Sequence, residues 1–343
     1  MTEESSHASP PIVLRPPLEL CPGPGEHLLL AGEGYEIAHF QLGEDKTLPR
    51  EEGVAAVVLH YTAAKASERP VDHLERFEQV LEPEGIETVS ALAQRLGHIP
   101  SGLSLSLQNA RSDRKACWDF LVGDDGVIVQ GNLELRQRHT RHAGRRRSRY
   151  LKRGKDLYYT DPWTHERHLV WDASARSFRY PVFPDGSVPT SGNTRTIGIE
   201  IENYGRVHLR GGRYYRRAGY DAVKRKYKYV EIGLSHEQVV KIGNRYYERL
   251  SDATMRSLIA LMGALRDTFS LPEGAWFGHL EFTPDQRTDP SPPLNIPDLV
   301  EQLYEPAEYE LVVMEPLEIV GELGPDGFDD YDPDDTEDLI LHD

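Results

Sequence analysis

Cysteine is nearly absent from this chain of 343 residues: Cys21 and Cys117 are far apart, and neither has a CxxC partner. Neither a disulfide framework nor a thiolate metal site is suggested, and two ordinary reduced thiols are expected. Long apolar runs are missing too. No stretch of about 18 apolar residues occurs, so no membrane span is expected. The opening MTEESSHASPPIVLRPP lacks a basic and then apolar leader. The expected location is therefore cytoplasmic, unless a specialised delivery apparatus or lysis carries the protein out. Positive charge is missing from the C-terminal end: no Lys or Arg follows Arg287, and residues 301 to 343 hold 16 Asp or Glu. The formal net charge of -17 argues against a general nucleic-acid binder. Residues 136 to 228 nevertheless carry 23 Lys or Arg against 8 Asp or Glu, which gives a basic middle and an acidic end.

The composition divides the chain into four parts. Residues 1 to 24, rich in Pro, Ser and Glu, form a disordered arm, and 25 to 52 an N-terminal extension in which EHLLLAG and YEIAHFQL pair as a hairpin. A main domain follows from 53 to 305, with a basic insertion at about 136 to 195 that carries its own hairpin. Residues 306 to 343 form an acidic tail with too few apolar groups for a core. In the main domain, GVAAVVLHYT (53 to 62) is a continuous apolar β-branched run, as a strand buried on both faces requires, and His60 stands at its C-terminal end. Helical spacing marks 71 to 81 and 89 to 96. CWDFLVGDDGVIVQ (117 to 130) alternates and turns at Asp124-Asp125-Gly126, and TIGIEIENYG (196 to 205) gives another strand. SDATMRSLIALMGALRDTF (251 to 269) supplies Ser251 or Asp252 as an N-cap and a stripe of Leu258, Leu261, Met262 and Leu265. The fold class expected is α/β, a central mixed sheet flanked by helices with a groove at one edge.

Chemistry-bearing groups crowd into FGHLEFTPDQRTDPSP (277 to 292). His279 and Asp289 are ten residues apart, too far for one helical face but suited to a loop that folds back between prolines. With His60 they make a His-His-carboxylate set, and such a set with one open position is a catalytic zinc shell. By contrast, Thr164-His165-Glu166-Arg167-His168 is not HExxH, because its histidines are three apart, and it reads as a solvated loop.

Four segments in this order resemble the zinc-dependent N-acetylmuramoyl-L-alanine amidases, whose fold is shared by peptidoglycan recognition proteins. They are VVLHYTA (57 to 63), WDFLVGDDGVIVQ (118 to 130) with HAG at 142 to 144, TIGIEIEN (196 to 203) and GHLEFTPDQRTDPSP (278 to 292). The resemblance implies Zn2+ held by His60, His279 and Asp289, Glu200 as general base with Glu202 as a rival, and Arg287 at the oxyanion where many members have Lys. It implies substrate contacts at Tyr61, His142 and Asp119, the last where many members have His. The implied partner is peptidoglycan or its soluble muropeptides, with no specific nucleic acid. The implied reaction is cleavage of the amide between N-acetylmuramic acid and L-alanine; the alternatives are a non-catalytic peptidoglycan-binding module and a secreted or phage-delivered lysin. The Arg145 to Arg153 cluster has the charge to bind nucleic acid, anionic wall polymer or the chain's own acidic tail, and the absence of a nucleic-acid recognition motif favours the last two.

Overall fold

The structure is a computed structural model. It describes residues 17–23, 25–39, 42, 46–50, 52–62, 117–143, 156–160, 166–172, 174–175, 177–178, 181–188, 192–221, 226–282, 289–290 and 292–305. The helices expected at 71 to 81 and 89 to 96, the cluster from Arg145 to Arg153, Arg287 and the tail from 306 lie outside the described residues.

A mixed six-stranded sheet forms the centre. Its strands are β1 (Ile37–His39), β2 (Ala56–Tyr61), β3 (Phe120–Val122), β4 (Ile128–Gln130), β5 (Thr196–Ile201) and β11 (Trp276–Gly278), in the spatial order β11-β2-β5-β3-β4-β1. β2 is central as its apolar run requires: all six of its residues are buried, and it pairs in parallel with β5 and β11. β3 and β4 form the antiparallel hairpin expected at Asp124-Asp125-Gly126. Gly126 has φ 82, and a Cβ there would lie 2.9 Å from the Ala253 carbonyl oxygen, so glycine meets both a positive φ and a close approach.

α1 (Asp252–Phe269) begins at Ser251, whose side chain accepts the Thr254 N–H. Leu258, Leu261, Met262 and Leu265 are fully buried, and they share one cluster with Val57, Leu59, Ile197, Ile199 and Ile201 from one face of the sheet and with Leu299 and Leu303 of α3 (Ile296–Tyr304). Each such side chain contributes roughly 1.5–3 kcal/mol by leaving water, so this face holds the sheet in place. The opposite face carries a smaller aromatic cluster, Ala56, Val58, Phe183, Phe277 and Phe282, beside a set of buried polar groups.

The N-terminal hairpin differs from expectation. Leu28–Ala31 pairs with Glu19–Pro22, and Ile37–His39 joins the central sheet as β1. Gln130 explains the arrangement: its side chain accepts from the Leu30 N–H and donates to the Leu28 carbonyl, tying the first hairpin to β4. The basic region contains a three-stranded sheet of Leu157–Thr160, Arg167–Asp172 and Ser177–Phe178. A five-stranded antiparallel sheet follows β5: β6 (Arg206–Arg210), β7 (Arg213–Asp221), β8 (Lys226–Ile232), β9 (Val239–Ile242) and β10 (Arg245–Glu248), in the order β8-β7-β6-β10-β9.

Candidate metal centre and active site

The site is built at the C-terminal ends of three parallel strands. In the β2–β5 ladder His60 is the partner of Glu200, so both side chains stand on one face of the sheet. β11 pairs Gly278 with Leu59, and the next residue, His279, opens the short helix α2 (His279–Phe282) at the level of His60. The chain returns at Asp289, whose carbonyl accepts the Leu280 N–H at 2.9 Å, and the carboxylate thereby reaches both imidazoles.

His60 Nδ1 lies 2.8 Å from His279 Nδ1, His279 Nδ1 lies 3.2 Å from Asp289 Oδ2, and His60 Nδ1 lies 3.7 Å from the same oxygen. Both histidines are buried. A tetrahedral zinc with bonds of about 2.0–2.1 Å spaces its ligand atoms roughly 3.3 Å apart, which these separations bracket. One proton between the imidazoles satisfies one of these contacts at a time, whereas a divalent cation satisfies all three lone pairs. The donor set therefore fits zinc.

The far side of His60 is also specified. His60 Nε2 lies 3.2 Å from His142 Nδ1, and His142 Nε2 lies 3.0 Å from Thr196 Oγ1. Thr196 Oγ1 donates to the Gly192 carbonyl, which can only accept. The hydroxyl thus accepts from His142 Nε2–H. His142 is neutral, because burial first and the neighbouring His279 second lower its pKa to about 3. Its Nδ1 then accepts from His60 Nε2–H, and His60 presents a lone pair at Nδ1 to the ligand cluster. Gly198 makes room for this chain: a Cβ there would sit 2.4 Å from His142 Cγ.

Three expectations on substrate contact change. His142 is buried behind His60 with both nitrogens engaged, so it positions a candidate ligand and is not presented to substrate. Tyr61, the residue after His60, points to the other face by strand alternation and packs in the α1 cluster. Burial raises its phenol pKa, and only its backbone N–H serves the site, donating to Asp289 Oδ2 at 3.3 Å. Asp119 is fully buried. It accepts from Asn132 Nδ2 at 2.6 Å, Gly198 N at 2.8 Å and Thr140 Oγ1 at 3.0 Å, and burial raises its pKa against the pull of the Arg50 guanidinium. Asp119 holds β5 to the neighbouring loop and is out of reach of substrate. The two glutamates separate as well. Glu202 is buried and accepts the Asp124 N–H, while Glu200 is partly exposed beside His60. Sequence reasoning missed Thr196 and Gly192; the Gly-Asn-Thr-Arg-Thr stretch before β5 carries no periodicity that would reveal them.

The family model described as N-acetylmuramoyl-L-alanine amidase matches residues 50–292. No curated protein matches the chain. Among solved structures, the crystal structure of a Se-Met AmpD derivative is 15% identical, with 80% of this chain and 99% of that chain covered and a TM-score of 0.34. The family match spans more than half of the chain and encloses His60, Glu200, His279 and Asp289: the chain belongs to the N-acetylmuramoyl-L-alanine amidase family.

Proposed function

We propose that the protein hydrolyses the amide joining the lactyl group of N-acetylmuramic acid to L-alanine of the stem peptide, with zinc held by His60, His279 and Asp289. The observation that carries the reading is the convergence of two imidazole nitrogens and one carboxylate oxygen, with Glu200 in ladder register beside them. The chemistry that a bound zinc supplies is Lewis acidity, which lowers the pKa of water toward about 7 and polarises a carbonyl.

The chain's own groups do the rest. Glu200 accepts a proton as the water oxygen bonds to the amide carbon, then returns one to the alanine nitrogen as the C–N bond breaks. The products are a lactyl carboxylic acid and the alanine amine, and the acid's proton passes to the amine to leave a carboxylate and an ammonium, so atoms and protons balance. His142 and Thr196 hold the His60 ring so that no proton occupies Nδ1, and the Tyr61 N–H orients the Asp289 carboxylate. Arg287, two residues before Asp289, is assigned to the developing oxyanion, where a guanidinium keeps the charge of the more usual Lys and adds fork geometry.

The test is to incubate the purified protein with sacculi and with soluble muropeptides, with and without chelator, and to identify products by mass. Release of peptides with a free alanine N-terminus, abolished by chelator, is expected. Cleavage of a glycosidic or peptide–peptide bond instead would overturn the assignment of the scissile bond.

A further inference from the structure

The five-stranded sheet is used by nothing described so far, and its two faces differ. One face buries Val207, Tyr214, Ile232 and Val239 together with Tyr204. On the other, the register places His208 beside Tyr215 and Arg217 beside Tyr229. There the Arg210 guanidinium carbon lies 3.8 Å from the centre of the Tyr229 ring, and that of Arg217 lies 3.7 Å from the centre of the Tyr227 ring. His208 meets Tyr229 edge to face at 4.8 Å. Arg210, Tyr215, Tyr227 and Tyr229 line an open cleft of about 640 Å³.

We infer that this cleft binds the peptide-bearing glycan strand of peptidoglycan, through its carboxylates, next to the catalytic groove. With its guanidinium carbon stacked over the Tyr229 ring, the exposed Arg210 has one face covered and keeps edge N–H donors that can grip an oxyanion in bidentate fashion, whereas Nε and Nη1 of Arg217 are buried and Arg217 serves to pack Tyr227. Residues 206 to 249 hold 12 Lys or Arg against 4 Asp or Glu in a chain of net charge -17, so this sheet shares the positive charge of the basic middle and complements an acidic polymer. Position selects the occupant. The sheet is rooted at the same strand ends as the catalytic groups: Thr62, just past β2, bonds with the backbone of Asn203, just past β5, and Asn203 Nδ2 donates to the carbonyl of Glu248 in β10. Tyr204 N–H also donates to the buried Glu248 carboxylate at 2.6 Å. The sheet is thus anchored to the ends of the strands that carry His60 and Glu200, and a polymer longer than the catalytic groove has it as a neighbour.

The inference rests on the amidase reading for the identity of the polymer, and the test separates the two. Equilibrium binding of the full chain to sacculi freed of phosphate polymers is measured at low salt with chelator present, for wild type, Arg210→Glu and Tyr229→Ser. Arg210 is exposed, so its reversal leaves the core untouched. The expected result is a loss of about tenfold in affinity for Arg210→Glu, the size of one charge-assisted contact, and a smaller loss for Tyr229→Ser. Undiminished binding by Arg210→Glu overturns the inference. Loss confined to a parallel arm with polyphosphate or single-stranded oligonucleotide, with sacculus binding kept, overturns it too and reassigns the cleft. Wild-type release of peptides from sacculi and from soluble muropeptides without chelator is read separately: no release from either sinks the amidase reading while Arg210-dependent sacculus binding still stands.

Discussion

His142 Nδ1 stands 3.2 Å from His60 Nε2, which makes the orientation of a candidate metal ligand depend on a residue that reaches neither metal nor substrate. The acceptor at the end of this chain is Thr196 Oγ1. Thr196→Val removes it and leaves His142 free to present either tautomer, whereas Thr196→Ser keeps it. Second-sphere losses of this kind weaken metal binding about 10- to 100-fold. Competition against a chromophoric chelator is expected to show that loss for Val and near-native affinity for Ser; equal affinity in all three proteins would show that the chain does not set the tautomer.

Asp119 accepts three hydrogen bonds at a fully buried position, so its role is to hold structure. Asp119→Asn turns one of its acceptors into a donor facing a donor. A stability loss of about 2–4 kcal/mol is expected in urea unfolding, from an unsatisfied buried group. A native unfolding midpoint with a raised KM would instead restore the substrate contact inferred from sequence.

The two cysteines are expected to separate in reactivity. Burial pushes the Cys117 thiol up to about 12, while Cys21 is partly exposed. Because the thiolate is the reactive form, a native protein at pH 8 should release one equivalent in a thiol assay and the second only after unfolding. Two equivalents from the native protein would show that β3 opens readily at its start.

Glu200→Gln cannot accept a proton and is expected to lower turnover at least 100-fold with zinc retained. Glu202→Gln keeps a buried acceptor for the Asp124 N–H and should cost stability more than rate. A side-by-side assay in which Glu202→Gln is the slower enzyme would reverse the choice of base.

Much of this was legible in the sequence. The unbroken run from Ala56 to Tyr61 could only be a central strand, the Asp-Asp-Gly turn placed β3 against β4, and the ten-residue interval from His279 to Asp289 made a returning loop. Strand period also carried the signal that Tyr61 and His60 face opposite ways, a signal outweighed when resemblance assigned Tyr61 to substrate. What stayed hidden depends on contacts distant in sequence. His142 lies 82 residues from His60 and 54 from Thr196, and no local pattern announces that a buried imidazole serves another. Asp119 looked available because its three donors come from Asn132, Thr140 and Gly198, on other segments. The five-stranded sheet was masked by its composition: arginine and tyrosine alternate with few aliphatic residues, so its buried face rests on Val207, Tyr214, Ile232 and Val239 and gives a weak apolar rhythm.

The central claim is that His60, His279 and Asp289 hold one metal ion. Elemental analysis of protein purified without added metal tests it most directly, on wild type, Glu200→Gln and His279→Ala. The account predicts about one zinc per chain in the first two and little in the third, since losing one of three ligands leaves an incomplete shell. Near-stoichiometric zinc in His279→Ala, or none in the wild type after zinc is supplied, would contradict it.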